Sequence, residues 1–305
     1  AATDVLVSRA GELAGSAAAC CDGRMVSKIH LLAAATLLLC HCSGGYGSMP
    51  LHKAPKIVNV SSWDPKERQR SGSGFSENDV SSLAANGASG LIARTGKGGT
   101  ADSKCGAFLS AAKRSGLRLG TYYFVTKGGN PERQADQYVS LVRTHARQRG
   151  LRGEPILLVG DFDTRAKAAD MLRFLDRVEH LTGVKPVIYL ENSSQMRTTM
   201  MSASAGEKQR LKRHPYWIAL YSPDNGFQTP KDLMKAHGVW SKWAIWQYGG
   251  VEWRRGRSQP LVYHHGGWRA PRYFGTMDRP LEHNAFNGSE NELADFWARH
   301  SWIVP

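Results

Sequence analysis

Two acidic residues, Asp161 and Asp163, stand at the end of an apolar run, Ile156-Leu157-Leu158-Val159-Gly160-Asp161-Phe162-Asp163. A strand alternates its side chains, so acids two apart share a face. Paired carboxylates suit cleavage of a glycosidic bond, in which one acid donates a proton to the departing oxygen and the other serves the anomeric carbon. Two acids held close raise one another's proton affinity, and that keeps one protonated near neutrality. The same residues have a plainer use, with Asp163 capping a helix that begins near Arg165, and spacing alone leaves both uses open. Other polar residues fall where apolar runs end: Asn59 and Ser61, Glu191, Gln247, and Glu282 at the last run.

Elements able to position these groups are visible in the pattern. Short β-rich runs are predicted at 57–60, 90–94, 118–125, 156–163, 186–191, 216–221, 243–248 and 281–286. Helical patterns lie between most of the early ones, at about 77–87, 104–115, 132–149 and 166–182, with another at 290–299. Strands alternating with helices imply a parallel, helix-covered sheet, because a parallel return needs a long crossover. The simplest closure is an α/β fold with a single (β/α) barrel of the TIM-like type over 57–299. The pattern after Tyr221 is less regular, so the last strands are expected to depart from ideal alternation. Residues 65–74 read as a basic loop, and 251–279 as a long insertion bearing Arg, Gly and Trp. In such barrels chemistry collects at the carboxyl ends of the strands, where the polar residues named above fall.

The 305-residue chain carries a formal charge of +14. Residues 1–42 hold three basic and three acidic residues, so the excess lies beyond them and favours polyanionic partners. Cys20, Cys21, Cys40 and Cys42 precede the barrel, leaving Cys105 alone in its body. No internal disulfide or cysteine-based zinc site is therefore available there, and Cys105 reads as a small core residue. Residues 25–45 open with Met25 and Lys28, continue in the nine-residue apolar run 31–39 and exit through small residues, the pattern of a signal peptide. The run is shorter than the roughly 20 residues a membrane span needs. Residues 1–24 show no export logic and read as a non-structural leader. Lipid attachment at Cys40 stays open, although bulky Leu39 argues against it. The expected location is outside the cytoplasmic membrane.

The order of motifs resembles the family-25 glycoside hydrolases, the lysozyme-type N-acetylmuramidases. Ile57-Val58-Asn59-Val60-Ser61-Ser62-Trp63 resembles the family's opening strand, and Gly116 through Phe124 its Gly-Leu…Tyr-His-Phe strand, with Tyr123 at the His. Asp161-Phe162-Asp163 falls at its Asp-x-Glu. Pro215-Tyr216-Trp217-Ile218-Ala219-Leu220-Tyr221 and Trp246-Gln247-Tyr248 match two later strands, and Glu282-His283-Asn284-Ala285-Phe286-Asn287-Gly288 its Asp-x-Asn-x-Phe-x-Gly. The resemblance implies catalytic roles for Asp161, Asp163 and Glu282, with Asp163 donating the proton and Asp161 stabilising the anomeric centre. It implies sugar contacts by Asn59, Tyr122, Trp217, Tyr221, Gln247 and Tyr248. Three family acids are altered: Asn59 cannot ionise, Asp163 is one methylene short, and Glu282 is one methylene long.

The expected activity is hydrolysis of the glycosidic bond after N-acetylmuramic acid in bacterial peptidoglycan, by a monomer needing no cofactor or metal. A barrel that binds the wall without cutting it is the alternative, and a basic scaffold for nucleic acid is the third reading. No recognised nucleic-acid motif supports the third. His264 and His265 are adjacent but have no third metal ligand at sensible spacing. Phosphate-loop, dinucleotide and Gly-x-Ser-x-Gly signatures do not occur.

Overall fold

The computed structural model describes residues 51–64, 74–221, 226–254, 257–265, 268–277 and 281–305. The expected leader segments, 1–24 and 25–45, and most of the basic loop 65–74 lie outside the described residues. The chain runs β1 (Lys56–Val60), α1 (Glu77–Ala85), β2 (Ala88–Lys97), β3 (Thr100–Ala101), α2 (Cys105–Arg114), β4 (Arg118–Val125), α3 (Pro131–Gln148), β5 (Pro155–Phe162) and α4 (Ala168–Thr182). It continues through β6 (Val187–Leu190), α5 (Ser194–Ser202), α6 (Ala205–Leu211), β7 (Tyr216–Ala219), α7 (Pro230–His237), β8 (Ile245–Arg254), β9 (Arg257–Val262), β10 (His264–His265) and β11 (Trp268–Arg269). β12 (Glu282–Phe286), α8 (Glu290–His300) and β13 (Ser301–Ile303) complete it.

Eight strands close on themselves in the order β1–β2–β4–β5–β6–β7–β8–β12 and back to β1. All eight predicted strands are present, and the neighbours are parallel except at β12, which is antiparallel to both β8 and β1. The irregularity expected in the last strands is therefore real. Its reason is the connection. No helix intervenes between β8 and β12 among the described residues, and a strand reached without a crossover can run antiparallel. The insertion is not the loop expected: β8 runs on to Arg254 and folds back as β9, with Gly249 opposite Val262.

Because both faces of the barrel wall are covered, strands such as β1 are buried almost throughout. Inside the barrel lie Ile57, Ile92, Leu157, Val159, Val187, Trp217, Ile245 and Phe286, sealed at the foot by Leu293, Phe296 and Trp297 of α8. Each such side chain contributes roughly 1.5–3 kcal/mol on burial. Trp297 donates its Nε1–H to the Leu119 carbonyl at 2.7 Å. That close approach requires glycine at 120, where a Cβ would stand 2.9 Å from Ile92 and 3.3 Å from Trp297. Outside, Phe162, Phe174, Tyr123 and Tyr138 pack in one aromatic cluster between strands and helices. With Phe162 facing outward, its neighbour Asp161 faces inward.

Local signals fix the helices. Ser76, Ser204, Thr229 and Ser289 each accept a backbone N–H at a helix start and are answered by Asp79, Glu207, Asp232 and Glu292 three positions on. Cys105 is buried at the start of α2, and burial pushes its thiol up to about 12, so it is an inert core group.

Candidate active site

At the carboxyl ends of the parallel strands the inward row turns polar, and antiparallel β12 reaches the same mouth with its amino end, so Glu282 opens its strand rather than closing it as expected. β1 supplies Asn59, β2 Arg94, β4 Tyr122, β5 Asp161, β6 Tyr189, β8 Gln247, and β12 both Glu282 and Asn284. The amides are linked directionally. Tyr189 donates its hydroxyl to Gln247 Oε1 at 2.7 Å, and Tyr221, just beyond β7, donates to the same oxygen. Gln247 must therefore turn its amide nitrogen the other way, and Nε2 donates to Asn59 Oδ1 at 3.0 Å. Asn284 Nδ2 donates to that oxygen at 2.8 Å, while its own oxygen accepts from Trp217 Nε1 at 2.9 Å. With Oδ1 of Asn59 doubly occupied, Nδ2 is left to donate, and it does so to Glu282 Oε2. Every donor in the chain points toward Glu282. β1 and β12 hold the pair in register, Asn59 opposite Glu282.

The phenols report the surrounding charge. Burial raises the hydroxyls of Tyr122, Tyr189 and Tyr221 well above their ordinary range, and the Glu282 and Asp161 carboxylates push all three further the same way. They therefore stay protonated as donors, and the fields of Asp161 and Glu282 meet among them. A second layer braces the rim. Ser61 donates to Asp64 Oδ2 through its backbone N–H at 2.6 Å and its hydroxyl at 2.9 Å. Asp102 holds Arg94 at 3.0 Å and accepts the Ser62 N–H at 3.0 Å, tying the β1 loop to β2.

Asp163 is placed differently from expectation. β5 ends at Phe162, and α4 is preceded by Lys167 rather than capped by Asp163. The Asp163 carboxylate instead turns back to the Arg165 backbone N–H at 3.0 Å and to its guanidinium at 3.2 and 3.3 Å. Those bonds to Arg165 hold its carboxyl below the usual range. An ionised, clamped carboxylate is a poor proton donor in this conformation.

Of the expected site residues, Asn59, Tyr221, Gln247 and Glu282 are joined by hydrogen bonds, and Tyr122 and Asp161 join them through charge. Trp217 lies just beneath, 2% exposed and edge-on to Tyr189 at 5.0 Å between ring centres, so it supports the polar layer from below. Tyr248 is not gathered with them. It follows inward Gln247 on β8 and so faces outward, packing with Trp246 and His283 under the added hairpin. Sequence reasoning missed Tyr189, Asn284 and Arg94. Their signal was available: Tyr189 lies two residues after inward Val187, Asn284 two after Glu282, and Arg94 two after Ile92.

A family model for glycosyl hydrolases family 25 matches residues 60–256, well over half of the chain. The chain belongs to that family. Among solved structures, the family-25 barrel seen here is similar to a bacterial lysozyme from Streptomyces coelicolor (TM-score 0.51, 19% identity, covering 81% of this chain and 97% of that one). It is also similar to a muramidase from Acremonium alcalophilum (0.50, 16%, 80% and 98%). A third is the catalytic domain of endolysin ply40 from bacteriophage P40 of Listeria monocytogenes (0.50, 18%, 81% and 98%). Identities this low carry the fold alone. A search of curated proteins finds no match. Family-25 membership makes the chain a glycoside hydrolase of the lysozyme type.

Elsewhere on this family-25 barrel, Asp176, Glu179 and His214 bring possible metal-ligand atoms within 4.8 Å of one another. Their carboxylates are already engaged, Asp176 by Arg210 and Glu179 by Lys185 and Arg213. His264 and His265 are exposed on β10, and His265 bonds Gln228.

Proposed function

We propose that this family-25 hydrolase is a muramidase that cuts the glycosidic bond after N-acetylmuramic acid in bacterial peptidoglycan, working with Asp161 and Glu282. The observation that carries the reading is the donor chain ending on Glu282, across the barrel mouth from Asp161. Glu282 receives the Asn59 amide N–H at the barrel mouth, a placement that suits it to stabilise positive charge developing at the anomeric carbon. Asp161 is the proton donor in this scheme. Its proton passes to the glycosidic oxygen as the bond from the anomeric carbon breaks; water adds to that carbon and its released proton restores the acid. Asn59, Gln247, Tyr122 and Tyr221 present hydrogen-bonding groups to the sugar or orient those that do. Asp163, held by Arg165, takes a rim position rather than the donor role that the family resemblance implies.

The test is a turbidity assay on purified walls, comparing the parent with Asp161→Asn and Glu282→Ala. Clearing by the parent, with losses of about a hundredfold or more in each variant, is the expected result. Undiminished clearing by either variant removes that residue from the scheme. Two observations favour a second reading, a wall-binding protein without hydrolysis: Asn59 has no ionisable group, and Asp163 is clamped. A parent that sediments with walls but leaves them turbid selects it. We also propose export through residues 25–45; no helix among the described residues is long and apolar enough to cross a membrane.

A further inference from the structure

The foot of the barrel, opposite the end that carries Asp161 and Glu282, holds a second concave site. Lys212 to Tyr216 lead into β7, Trp240 to Ala244 lead into β8, and Phe296 and His300 of α8 close the side, enclosing a cleft of about 250 Å3. No acidic residue lines it, while Lys212, Arg213 and Lys242 do. Of these, Arg213 is already held by Glu179 at 3.1 Å. Arg114, Arg118, Arg173, Arg177 and Arg210 each have a carboxylate partner. Lys212 and Lys242 are exposed and have no ion-pair partner among the described residues. Two unneutralised ammonium groups thus border one cleft.

The floor is aromatic. Tyr216 and Trp240 stack with centres 4.2 Å apart, His300 lies against Phe296 at 4.8 Å, and half-buried Trp243 packs on Trp246. Burial, then nearby cations, lowers His300 to about 4, and burial lowers His214, so both rings are neutral at pH 7 and serve as hydrogen-bonding groups. Tyr216, Trp240 and Phe296 are buried and form the base, so half-buried Trp243 is the ring left to meet the apolar face of a sugar, and the unpaired lysines suit a negative substituent on it.

We propose that this cleft binds an anionic sugar unit, one carrying a phosphate or carboxylate, with the ring against Trp243 and the anion met by Lys212 and Lys242. Such a site holds a charged glycan polymer at the face opposite the cutting end. It does not depend on which bond the hydrolase cuts.

The test follows the Trp243 indole proton by nuclear magnetic resonance, assigned with Trp243→Phe, during titration with N-acetylglucosamine 1-phosphate, N-acetylmuramic acid and neutral N-acetylglucosamine. One or both anionic sugars should shift the resonance, more weakly as salt rises, and the neutral sugar should not. Response to the phosphate alone assigns the site to a phosphate-bearing polymer, and response to the carboxylate assigns it to acidic wall sugars. Lys212→Glu with Lys242→Glu should weaken binding by about tenfold or more, leaving the thermal midpoint in place because neither lysine has a partner to lose. The proposal is overturned if no sugar moves the resonance, if the neutral sugar matches the anionic ones, or if the double variant binds as tightly as the parent.

Discussion

Replacing Asn59 by Asp, the residue type of the family's opening strand, tests the donor chain directly. In the parent, Asn59 Oδ1 accepts from Gln247 and Asn284 while Nδ2 donates to Glu282. An aspartate keeps the acceptor but turns its second oxygen onto the Glu282 carboxylate. Two unit charges about 4 Å apart repel by about 4 kcal/mol at an effective dielectric of about 20. At about 1.36 kcal/mol for each tenfold change in proton affinity, that tightens proton binding to the new pair by about a thousandfold. The sign follows: a carboxyl whose folded pKa is raised binds its proton more tightly in the fold. The variant is then little affected below about pH 4 and loses stability as pH rises toward 7, by up to about 4 kcal/mol relative to the parent. Urea denaturation of both proteins at pH 4.5 and 7.5 measures this. A parent–variant difference that is the same at both pH values means that Asn59 and Glu282 do not touch, and the directional chain fails with it.

Arg165→Ala should release the Asp163 carboxyl toward its ordinary range; if Asp163 is only a rim residue, lysis changes by less than about threefold, and a larger loss returns Asp163 to the chemistry. His283 is buried beside Tyr248 and Phe274, its ring nitrogens without a hydrogen-bond partner among the described residues, and burial lowers it to about 4. Its charged form is disfavoured in the fold, so the stability it permits is whole above about pH 6.5 and falls by about 3 kcal/mol as pH drops toward 4. His283→Leu should flatten that part of the acid limb in thermal melts between pH 4 and 7. Gly120→Ala should destabilise by about 1–3 kcal/mol, because the new methyl meets Ile92 and Trp297, and an unchanged melting temperature contradicts the packing described for the foot.

The barrel was legible because its strands are short apolar runs with helices between them, and because Asn59, Asp161 and Gln247 sit where such runs end; Glu282 instead opens β12, whose antiparallel direction brings it to the same mouth. What failed did so for local reasons. Two-residue alternation put Asp163 on the face of Asp161, but β5 stops at Phe162 and a carboxylate one residue past a strand bonds the nearest free N–H, here that of Arg165. Gln247 and Tyr248 were both assigned to the sugar, yet neighbours on one strand face opposite sides. Helices α5 to α7 escaped notice although Ser204 with Glu207 and Thr229 with Asp232 have the spacing of capping boxes. The β8–β9 hairpin was obscured by its arginines and glycine, which look like loop composition whichever way the backbone pairs.

The amide at position 59 makes a physical difference that its neighbours turn into a direction. Tyr189 and Tyr221 keep their protons, because burial and nearby negative charge disfavour the phenolates, and both donate to Gln247 Oε1. Gln247 must therefore accept at one end and donate at the other, and Asn59 must do the same. A carboxylate at 59 would end the chain there; an amide carries it one residue further, to Glu282. In the proposed scheme the negative charge facing the anomeric carbon then rests on Glu282 of β12, with none on Asn59 of the adjoining β1. Read this way, Asn59 and Glu282 are one substitution made at two positions, and changing either alone costs more than changing both. Asn59→Asp with Glu282→Asn should therefore recover more lytic activity than the sum of the two single losses allows, and a double variant no better than that sum would separate the two positions.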